Sequence, residues 1–459
     1  MVLRLRKLLY RLRRFLGHFT PMQIIALVFL AIVLTGAVLL TLPVSSRSGE
    51  TTPFLTALFT ATSGTCVTGL TMVDTYTHWS GFGQVVILCL IQIGGLGFMS
   101  IATMFFFLMK RRIRLKERLV MAQSIGMEDL SGIVSMIRLV LIRTMIIEGV
   151  GALILAIRFA FDMPFGKALW WGVFHSISVF CNGGFDIMGA VDVGGSVIPY
   201  ATDPVFNITV MALIILGGLG FFVWDDILRN RRFKKLSLYS RMVLVITAVL
   251  IFGGAVLLGI FEWNNPETMG NLTTGGKIWT SLFHSVTCRT AGCYTIPQMP
   301  MTDASKALSC MLMFVGGSSG STAGGVKTVT VGVLLLSVIA TARGRSRVTV
   351  GHRTVAEKQV KDAIAIASMV LVAALGSALY LSAANGLAFM DCLYETMSAI
   401  ATVGLSTGIT ASLDVLSLLL LIVMMFFGRV GVMTISLGFL LSDQAEERYR
   451  FAETKLMIG

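Results

Sequence analysis

Four short segments, each ending in glycine, contain the residue types in this sequence that are best suited to chemistry. Glycine can turn its backbone carbonyl in directions that other residues reach only with strain. A ring of such carbonyls can replace the water shell of a metal cation. The four segments are Cys66-Val67-Thr68-Gly69, Cys181-Asn182-Gly183-Gly184, Arg289-Thr290-Ala291-Gly292 and Thr402-Val403-Gly404. We therefore predict that they coordinate a cation together.

The segments recur at a nearly constant distance along the chain. Their final glycines, at positions 69, 184, 292 and 404, are separated by 115, 108 and 112 residues. Ordinary tight turns would explain each glycine alone, but an internal repeat in one register favours a common structure. A second set of glycines follows each segment, and its simplest interpretation is close helix packing. Its members are Gly95 and Gly97, Gly218 and Gly220, Gly317 and Gly320, and Gly428 and Gly431.

The composition indicates that the elements positioning these segments lie in a membrane. Apolar residues make up 55% of the 459 positions and charged residues only 13%, which is unusual for a water-soluble protein. The apolar residues form runs long enough to cross about 30 Å of hydrocarbon as helices. We predict eight spans, over residues 22–42, 82–109, 133–161, 205–228, 241–261, 305–341, 361–385 and 412–441. The first run could be a signal peptide, but its length favours a retained helix.

The net charge of +13, from 37 basic and 24 acidic residues, predicts orientation rather than binding to nucleic acid. Basic residues are concentrated at the N-terminus and in residues 110–118, 229–235 and 343–361, which are alternate connections between the apolar runs. By the positive-inside rule these connections and both termini face the cytoplasm. The seven cysteines lack CxxC spacing, so neither disulfides nor a cysteine metal site is predicted.

Each outside connection contains an apolar stretch before its glycine that is long enough for a short re-entrant helix. Irregular backbone at membrane depth is tolerated where it lines a cavity, and the negative C-terminal end of a helix favours a cation. The predicted fold is an all-α polytopic membrane protein, with four helix, pore-loop, helix repeats in pseudo-fourfold arrangement around one pore. The predicted divisions are a cytoplasmic N-terminus (1–21), the repeats (22–119, 120–235, 236–345 and 346–441) and a cytoplasmic C-terminus (442–459).

These segments resemble those of the Trk/Ktr/HKT superfamily of potassium transporters, most closely the Ktr membrane subunit (KtrB). The likeness extends to Gly316-Gly-Ser-Ser-Gly-Ser-Thr-Ala-Gly-Gly-Val-Lys-Thr328 and covers nearly the whole chain. It implies potassium uptake across the bacterial plasma membrane, with sodium as an activator and no cofactor in this chain. It also implies a homodimer docked on a cytoplasmic, KtrA-like ring of RCK-domain subunits that bind a nucleotide. A Trk-type carrier of potassium, or of sodium and potassium, is the alternative within the superfamily.

By this resemblance the four segments form a selectivity filter, in which backbone carbonyls bind potassium. The carbonyls expected to bind the ion are those of Thr68, Gly69, Asn182, Gly183, Thr290, Ala291, Thr402 and Val403. Cys293 stands where an aromatic residue is common in the family, so the outer part of the third segment departs from the family pattern.

The apolar run 305–341 would make a helix of about 55 Å, far longer than a membrane requires. We expect it to break where glycines and hydroxyl residues accumulate, in a stretch that the resemblance identifies as a movable gate. The predicted gate residues are Gly316, Gly317, Ser318, Ser319, Gly320, Ser321, Thr322, Ala323, Gly324, Gly325 and Arg429. The stretch is also similar to a phosphate-binding loop, but Val326 separates its last glycine from Lys327, which disfavours nucleotide binding.

Arg429 is the strong charge deep in the last apolar run, and such residues usually face a cavity and serve function. We predict that it forms an electrostatic barrier just inside the filter and hydrogen-bonds the loop at residues 318–322. The alternative is an arginine satisfied by helix-end carbonyls away from the pore. His175 and His284 occupy one repeat position and are expected on the surfaces of the short helices rather than as metal ligands.

Two other classes of function are disfavoured by the sequence. An alternating-access carrier usually has inverted repeats, whereas these four repeats share one orientation. An intramembrane enzyme would need a nucleophile with a base, or a set of metal ligands, and the apolar runs contain no such set. We predict no enzymatic activity.

Overall fold

A computed structural model describes residues 21–97, 133–345, 347–350 and 353–431. The predicted basic N-terminus, the basic connection at 110–118 and the C-terminal segment 442–459 lie outside the described residues. Where the chain is described, it is predominantly helical, with one two-stranded antiparallel sheet formed by β1 (Thr349–Val350) and β2 (Arg353–Thr354).

The helices follow a recurring order of one long helix, one short helix and a second apolar helix. They are α1 (Pro21–Thr41), α2 (Phe54–Thr65), α3 (Thr75–His78), α4 (Gly81–Leu96), α5 (Ile133–Phe159), α6 (Phe165–Phe180), α7 (Pro204–Leu219), α8 (Phe221–Asn230), α9 (Leu238–Glu262), α10 (Thr274–Thr287), α11 (Asp303–Phe314), α12 (Thr328–Ala342), α13 (Glu357–Asn385), α14 (Phe389–Ile400) and α15 (Val415–Val430). Single 3-10 turns lie at Pro43–Ser45, Met188–Ala190, Ile198–Tyr200, Phe233–Lys235 and Thr410–Ser412.

Four described helices, α1, α5, α9 and α13, are long and apolar enough to cross a membrane, and a bent pair raises the number to five. Their outward faces are apolar: on α9, Phe252, Val256 and Ile260 are 65%, 63% and 65% exposed. In water such faces would be unfavourable, whereas hydrocarbon solvates them well. The short helices α2, α6, α10 and α14 are instead largely buried among their neighbours.

Capping side chains explain where many of the helices begin. Each of these residues precedes a helix and accepts a hydrogen bond from an amide of its first turn, which would otherwise have no partner. The caps are Asp74, Ser80, Asp203, Ser237, Thr273, Thr302 and Asp414. A partly buried ion pair between Lys306 and Asp391, with 2.7 Å between nitrogen and oxygen, joins α11 to α14.

The run predicted to span residues 205–228 is not straight. Helices α7 and α8 meet at 97°, around Gly220, whose φ is +89°. A side chain there would be strained, and it would also contact Ser318 and Ser319. The bend is stabilised from outside the helix, because the Phe221 amide donates to Gly320 O at 2.9 Å.

The run 305–341 is broken, as its length predicts. Helix α11 ends at Phe314 and α12 begins at Thr328. The two ends of the intervening loop are held together by backbone hydrogen bonds, from Gly316 N to Val326 O at 3.0 Å and from Thr328 N to Gly317 O at 3.1 Å. We call residues 316–325 the polar loop. Its neck is formed by the residues that these two hydrogen bonds join, which are Gly316, Gly317, Val326 and Thr328.

Glycines of three apolar helices permit close contact with the short helices. A Cβ added at Gly94, Gly217 or Gly428 would collide with the carbonyl oxygen of Thr65, Phe180 or Ile400, respectively. Each of these carbonyls lies four residues before the final glycine of its segment. Close packing was predicted for the second set of glycines, which includes the neighbouring Gly95 and Gly218. An added Cβ would collide at Gly95, Gly220, Gly317 and Gly428, but it would have room at Gly97 and Gly218.

This packing predicts that alanine at Gly94 or Gly217 destabilises the protein. A methyl group there must push two backbones apart, at a cost of about 1–3 kcal/mol. The apparent melting temperature of the purified variants, followed by size-exclusion chromatography after heating, should fall by several degrees.

The matched control is Gly376→Ala. Gly376 lies within α13, and an added Cβ would have no neighbour within 4 Å. Alanine favours a helix interior by about 1 kcal/mol over glycine, so this variant should melt at or above the wild-type temperature. Equal melting temperatures for Gly376→Ala and Gly217→Ala would contradict the packing argument.

Candidate ion pathway

The four glycine segments adopt one backbone conformation. Each follows a short helix, which ends at Thr65, Phe180, Thr287 or Ile400. The residue two places before the final glycine has a left-handed φ in every segment: Val67 (56°), Asn182 (60°), Thr290 (74°) and Thr402 (52°). The final glycines also have positive φ, of 96°, 69°, 81° and 93° in chain order. Non-glycine residues rarely adopt this conformation, and its recurrence at one position in all four segments indicates that they follow one path.

The four final glycines close a ring. A Cβ on Gly69 would lie 2.8 Å from the Cα of Gly184, and one on Gly184 would lie 3.1 Å from the Cα of Gly292. A Cβ on Gly292 would lie 3.3 Å from the Cα of Gly404, and one on Gly404 would lie 2.9 Å from the Cα of Gly69. The four predicted segments are therefore brought together, in chain order, around one axis.

A hydroxyl residue braces each segment from behind. Ser63 Oγ and Ser398 Oγ accept from the amides of Gly69 and Gly404, both at 3.0 Å. Ser178 Oγ donates to Phe185 O at 2.6 Å, and Thr287 Oγ1 donates to Cys293 O at 2.5 Å. Sequence reasoning did not single out these residues. The signal was present, since a hydroxyl residue precedes each final glycine by six residues, or by five in the third segment. These residues are Ser63, Ser178, Thr287 and Ser398.

The amides inside the segments are also satisfied by the short helices. Thr68 N, Gly183 N and Val403 N donate to the carbonyls of Ser63, Ser178 and Ser398 at 2.8, 2.6 and 2.8 Å, and Ala291 N donates to Thr287 O at 2.9 Å. Because these N–H groups have partners on the helix side, they do not compete with a cation for the segment carbonyls. Backbone oxygens are the groups that such an arrangement leaves to coordinate an ion.

A wide cavity lies on the glycine ring. Its volume is about 630 Å³, and all four final glycines line it, together with Asp74, Asp186 and Asp192. None of the described lining residues is Lys or Arg, so the cavity attracts cations. Burial raises the pKa of Asp186 to about 6, against the opposing effect of a hydrogen bond from the Met188 amide.

The polar loop lies against the opposite end of the segments. Thr322 Oγ1 donates to Phe180 O at 3.1 Å and to Asn182 Oδ1 at 3.3 Å. A Cβ on Gly324 would collide with Thr402 Oγ1. The loop is also held by the bend after α7, where Ser318 N donates to Gly218 O at 3.0 Å. A cation leaving the ring on this side meets the loop.

Arg429 contacts the polar loop, as predicted. Its Nη1 donates to Thr322 O, and its Nη2 donates to Gly94 O and, at 3.0 Å, to Gly95 O. The carbonyls of Gly94 and Gly95 belong to the last turn of α4, which has no intrahelical donors for them. The guanidinium therefore satisfies helix-end carbonyls and the loop at the same time.

His175 and His284 lie on the short helices α6 and α10, where their side chains are buried against neighbouring elements. His175 Nδ1 lies 2.8 Å from Trp171 O, and its Nε2 accepts from the Ile187 amide at 3.4 Å. His284 Nε2 lies 3.0 Å from Ser309 Oγ. Glu395, at the same repeat position, accepts hydrogen bonds from Ser406 and Thr410. His175 and Glu395 thus brace the connections that follow their segments, and His284 joins α10 to α11.

Comparisons with known proteins agree with this geometry. A family model described as TrkH, cation transport protein, matches residues 13–448. The potassium/sodium uptake protein NtpJ of Enterococcus hirae is 39% identical over 454 residues, covering 97% of this chain and 99% of its own. Ktr system potassium uptake protein B of Bacillus subtilis is 36% identical over 434 residues, covering 94% and 96%. The crystal structure of the potassium transporter TrkH from Vibrio parahaemolyticus has a TM-score of 0.67 at 18% identity and covers 91% of this chain and 84% of its own.

Proposed function

The chain belongs to the TrkH family of cation transport proteins, and from that premise we propose that it is the pore-forming subunit of a potassium uptake system. Membership confirms the family resemblance of the sequence and makes the chain a multi-pass membrane transport protein rather than an enzyme. The observation that carries the proposal is the ring of Gly69, Gly184, Gly292 and Gly404 beneath an acidic cavity. Potassium is proposed as the cargo because it stands in the names of both relatives.

The proposed architecture is eight spans in four repeats around one pore. Its support is the helix order, in which a long helix, a buried short helix and a second apolar helix follow one another four times. The third repeat differs because its second span is divided into α11 and α12, with the polar loop between them.

In the proposed pathway the cation enters the acidic cavity and loses water at the ring. The carbonyls of the four segments, from Thr68 and Gly69 in the first to Thr402 and Val403 in the fourth, then replace the hydration shell. The replacement of water by carbonyl oxygens favours an ion whose dehydration free energy is compensated by the partial negative charges of several carbonyls. The polar loop and Arg429 form the gate below, the loop by obstruction and the guanidinium by charge.

Further properties are proposed from the family resemblance and the relatives' names. The name of the Bacillus subtilis relative describes one protein of a Ktr system, which supports a separate partner. We propose a cytoplasmic ring of nucleotide-binding RCK-domain subunits as that partner, a homodimer of this chain, activation by sodium, and a bacterial plasma membrane location with cytoplasmic termini. A second candidate is a carrier of both ions, because the Enterococcus hirae relative is named for potassium and sodium.

The filter assignment predicts that serine at Gly69 or Gly404 impairs potassium uptake. Both glycines have a left-handed φ and no room for a Cβ, so a side chain must distort the ring. In proteoliposomes the apparent KM for potassium should rise about tenfold or more, equivalent to roughly 1.4 kcal/mol, and discrimination against sodium should weaken.

The matched control is Gly49→Ser, in an outer connection. Gly49 also has a positive φ, of 75°, but an added Cβ would have no neighbour within 4 Å. This variant should transport potassium with the wild-type KM. Wild-type kinetics for Gly69→Ser and Gly404→Ser would refute the filter.

The gate assignment predicts that deleting residues 316–325 raises flux without changing ion preference. Val315 and Val326, which flank the deleted residues, already form a β-bridge, so the deletion joins residues that are adjacent. Replacing the loop glycines by alanine should alter gating in the same assay, because alanine favours continuous helix. Loss of potassium preference with an unchanged maximum rate would exchange the gate and filter roles.

The barrier assignment predicts that Arg429→Ala increases potassium flux, most of all without an active cytoplasmic partner. The substitution removes a positive charge and three hydrogen bonds that hold Thr322 and α4. Arg229→Ala, at a largely exposed arginine paired with Asp225, is the control and should leave flux unchanged. Background uptake by a folded Arg429→Ala protein would support a purely structural arginine.

A further inference from the structure

Arg289 is unlike the residues at its position in the other three segments. Three places before the final glycine the others carry Cys66, Cys181 and Ala401. Arg289 is large and charged, yet only 6% of its surface is exposed. A buried guanidinium is unfavourable unless its N–H groups find acceptors, and the fold provides those acceptors at one specific place.

The guanidinium binds the neck of the polar loop. Its Nη2 donates to Gly316 O and to Thr328 Oγ1, both at 3.2 Å. Thr328 Oγ1 in turn donates to Gly316 O at 3.0 Å. The three groups form a closed triangle at the point where the two ends of the loop meet. The side chain of a filter residue is thereby fixed to the base of the loop.

The other terminal nitrogen of Arg289, Nη1, forms no hydrogen bond to another described element. Arg289 borders a small cavity shared with Gly218 and Thr247, whose volume of about 10 Å³ is close to the room that one water molecule needs. Among the described ion pairs, none includes Arg289. The side-chain hydrogen bonds that the structure describes for Arg289 are therefore those to the neck.

The main chain of the same residue is tied to the tip of the loop. Asn182 Nδ2 donates to Arg289 O at 3.2 Å and to Thr290 Oγ1 at 3.0 Å. Asn182 Oδ1 accepts from Thr322 Oγ1 at 3.3 Å. Two neighbouring filter segments thus form hydrogen bonds to the loop. Arg289 bonds its neck, and Asn182 bonds Thr322 at its tip. The loop cannot shift without loosening a contact that positions the backbone three residues before Gly292.

We propose that Arg289 is a positioning residue that couples the third filter segment to the polar loop, so that gate position and potassium affinity change together. This inference rests on the proposed function. Arg429 differs in role, because its hydrogen bonds reach Thr322, Gly94 and Gly95 and no residue of the four segments. Arg429 determines where the loop rests, and Arg289 transmits that position to the filter.

The test uses Thr328→Val, which removes the hydroxyl of the neck but touches no filter backbone. Potassium uptake by proteoliposomes is measured over a range of external potassium for the wild type, Thr328→Val, Arg289→Gln and the double variant. Thr328→Val should raise the apparent KM as well as change the maximum rate. In the Arg289→Gln background it should have no further effect on KM, which makes the pair non-additive by about twofold or more.

The matched control is Thr144→Val, at a buried threonine in α5 whose hydroxyl, unlike that of Thr328, has no hydrogen-bond partner among the described groups. It should leave both kinetic parameters unchanged. If Arg289→Gln does not fold, Arg289→Lys takes its place in the cycle, since lysine keeps the charge and loses the forked geometry. Thr328→Val alone also remains decisive.

Two outcomes would overturn the coupling. In one, Thr328→Val changes the maximum rate and leaves KM at the wild-type value. In the other, the effects of the two substitutions on KM multiply independently. Either result would make Arg289 a structural support only. A wild-type protein without potassium uptake would instead refute the proposed function itself, so the two failures are distinguishable.

Discussion

The close approach of four backbone segments is the constraint on which the rest of this structure depends. At the ring the main chains come so near one another that no side chain fits at Gly69, Gly184, Gly292 or Gly404. The backbone of these segments is not stabilised by hydrogen bonds of a helix or a sheet, so its polar groups need other partners. The short buried helices, their terminal carbonyls and the hydroxyls behind each segment provide the missing partners. The long helices in turn bury the short ones.

The same requirement governs the polar loop. Its backbone lies within the bundle, where an unpaired carbonyl or amide is costly. Partners come from three directions: the bend between α7 and α8, the ends of the filter segments, and the side chains of Arg289 and Arg429. A loop held by so many separate donors and acceptors has a defined resting position.

Much of this arrangement could be predicted from the sequence, and the reasons are local. The register of the final glycines identified the four segments, and the excessive length of the run 305–341 identified the break. The contact of Arg429 with the loop followed from the cost of a buried charge. Its second contact, to Gly94 and Gly95, joins residues more than 330 positions apart, and no local pattern reports such a distance. The bend at Gly220 was missed because the hydrophobic run continues through it; its cause is the loop packed beside it. The contacts of Arg289 with the neck were also missed, because they too depend on the packing of the polar loop.

The four quarters of the ring are not identical, since the third is one residue shorter between its bracing hydroxyl and its final glycine. A tetramer of identical chains would repeat every feature four times, and four copies of Arg429, of Arg289 and of the polar loop would have to share one axis. Joining the quarters in a single polypeptide removes that symmetry requirement. In the proposed pathway the third quarter provides both the obstruction and, through Arg289, its link to the ring, and the fourth provides the charge of Arg429, while all four keep the final glycine. Evolution can adjust such a ring one side chain at a time.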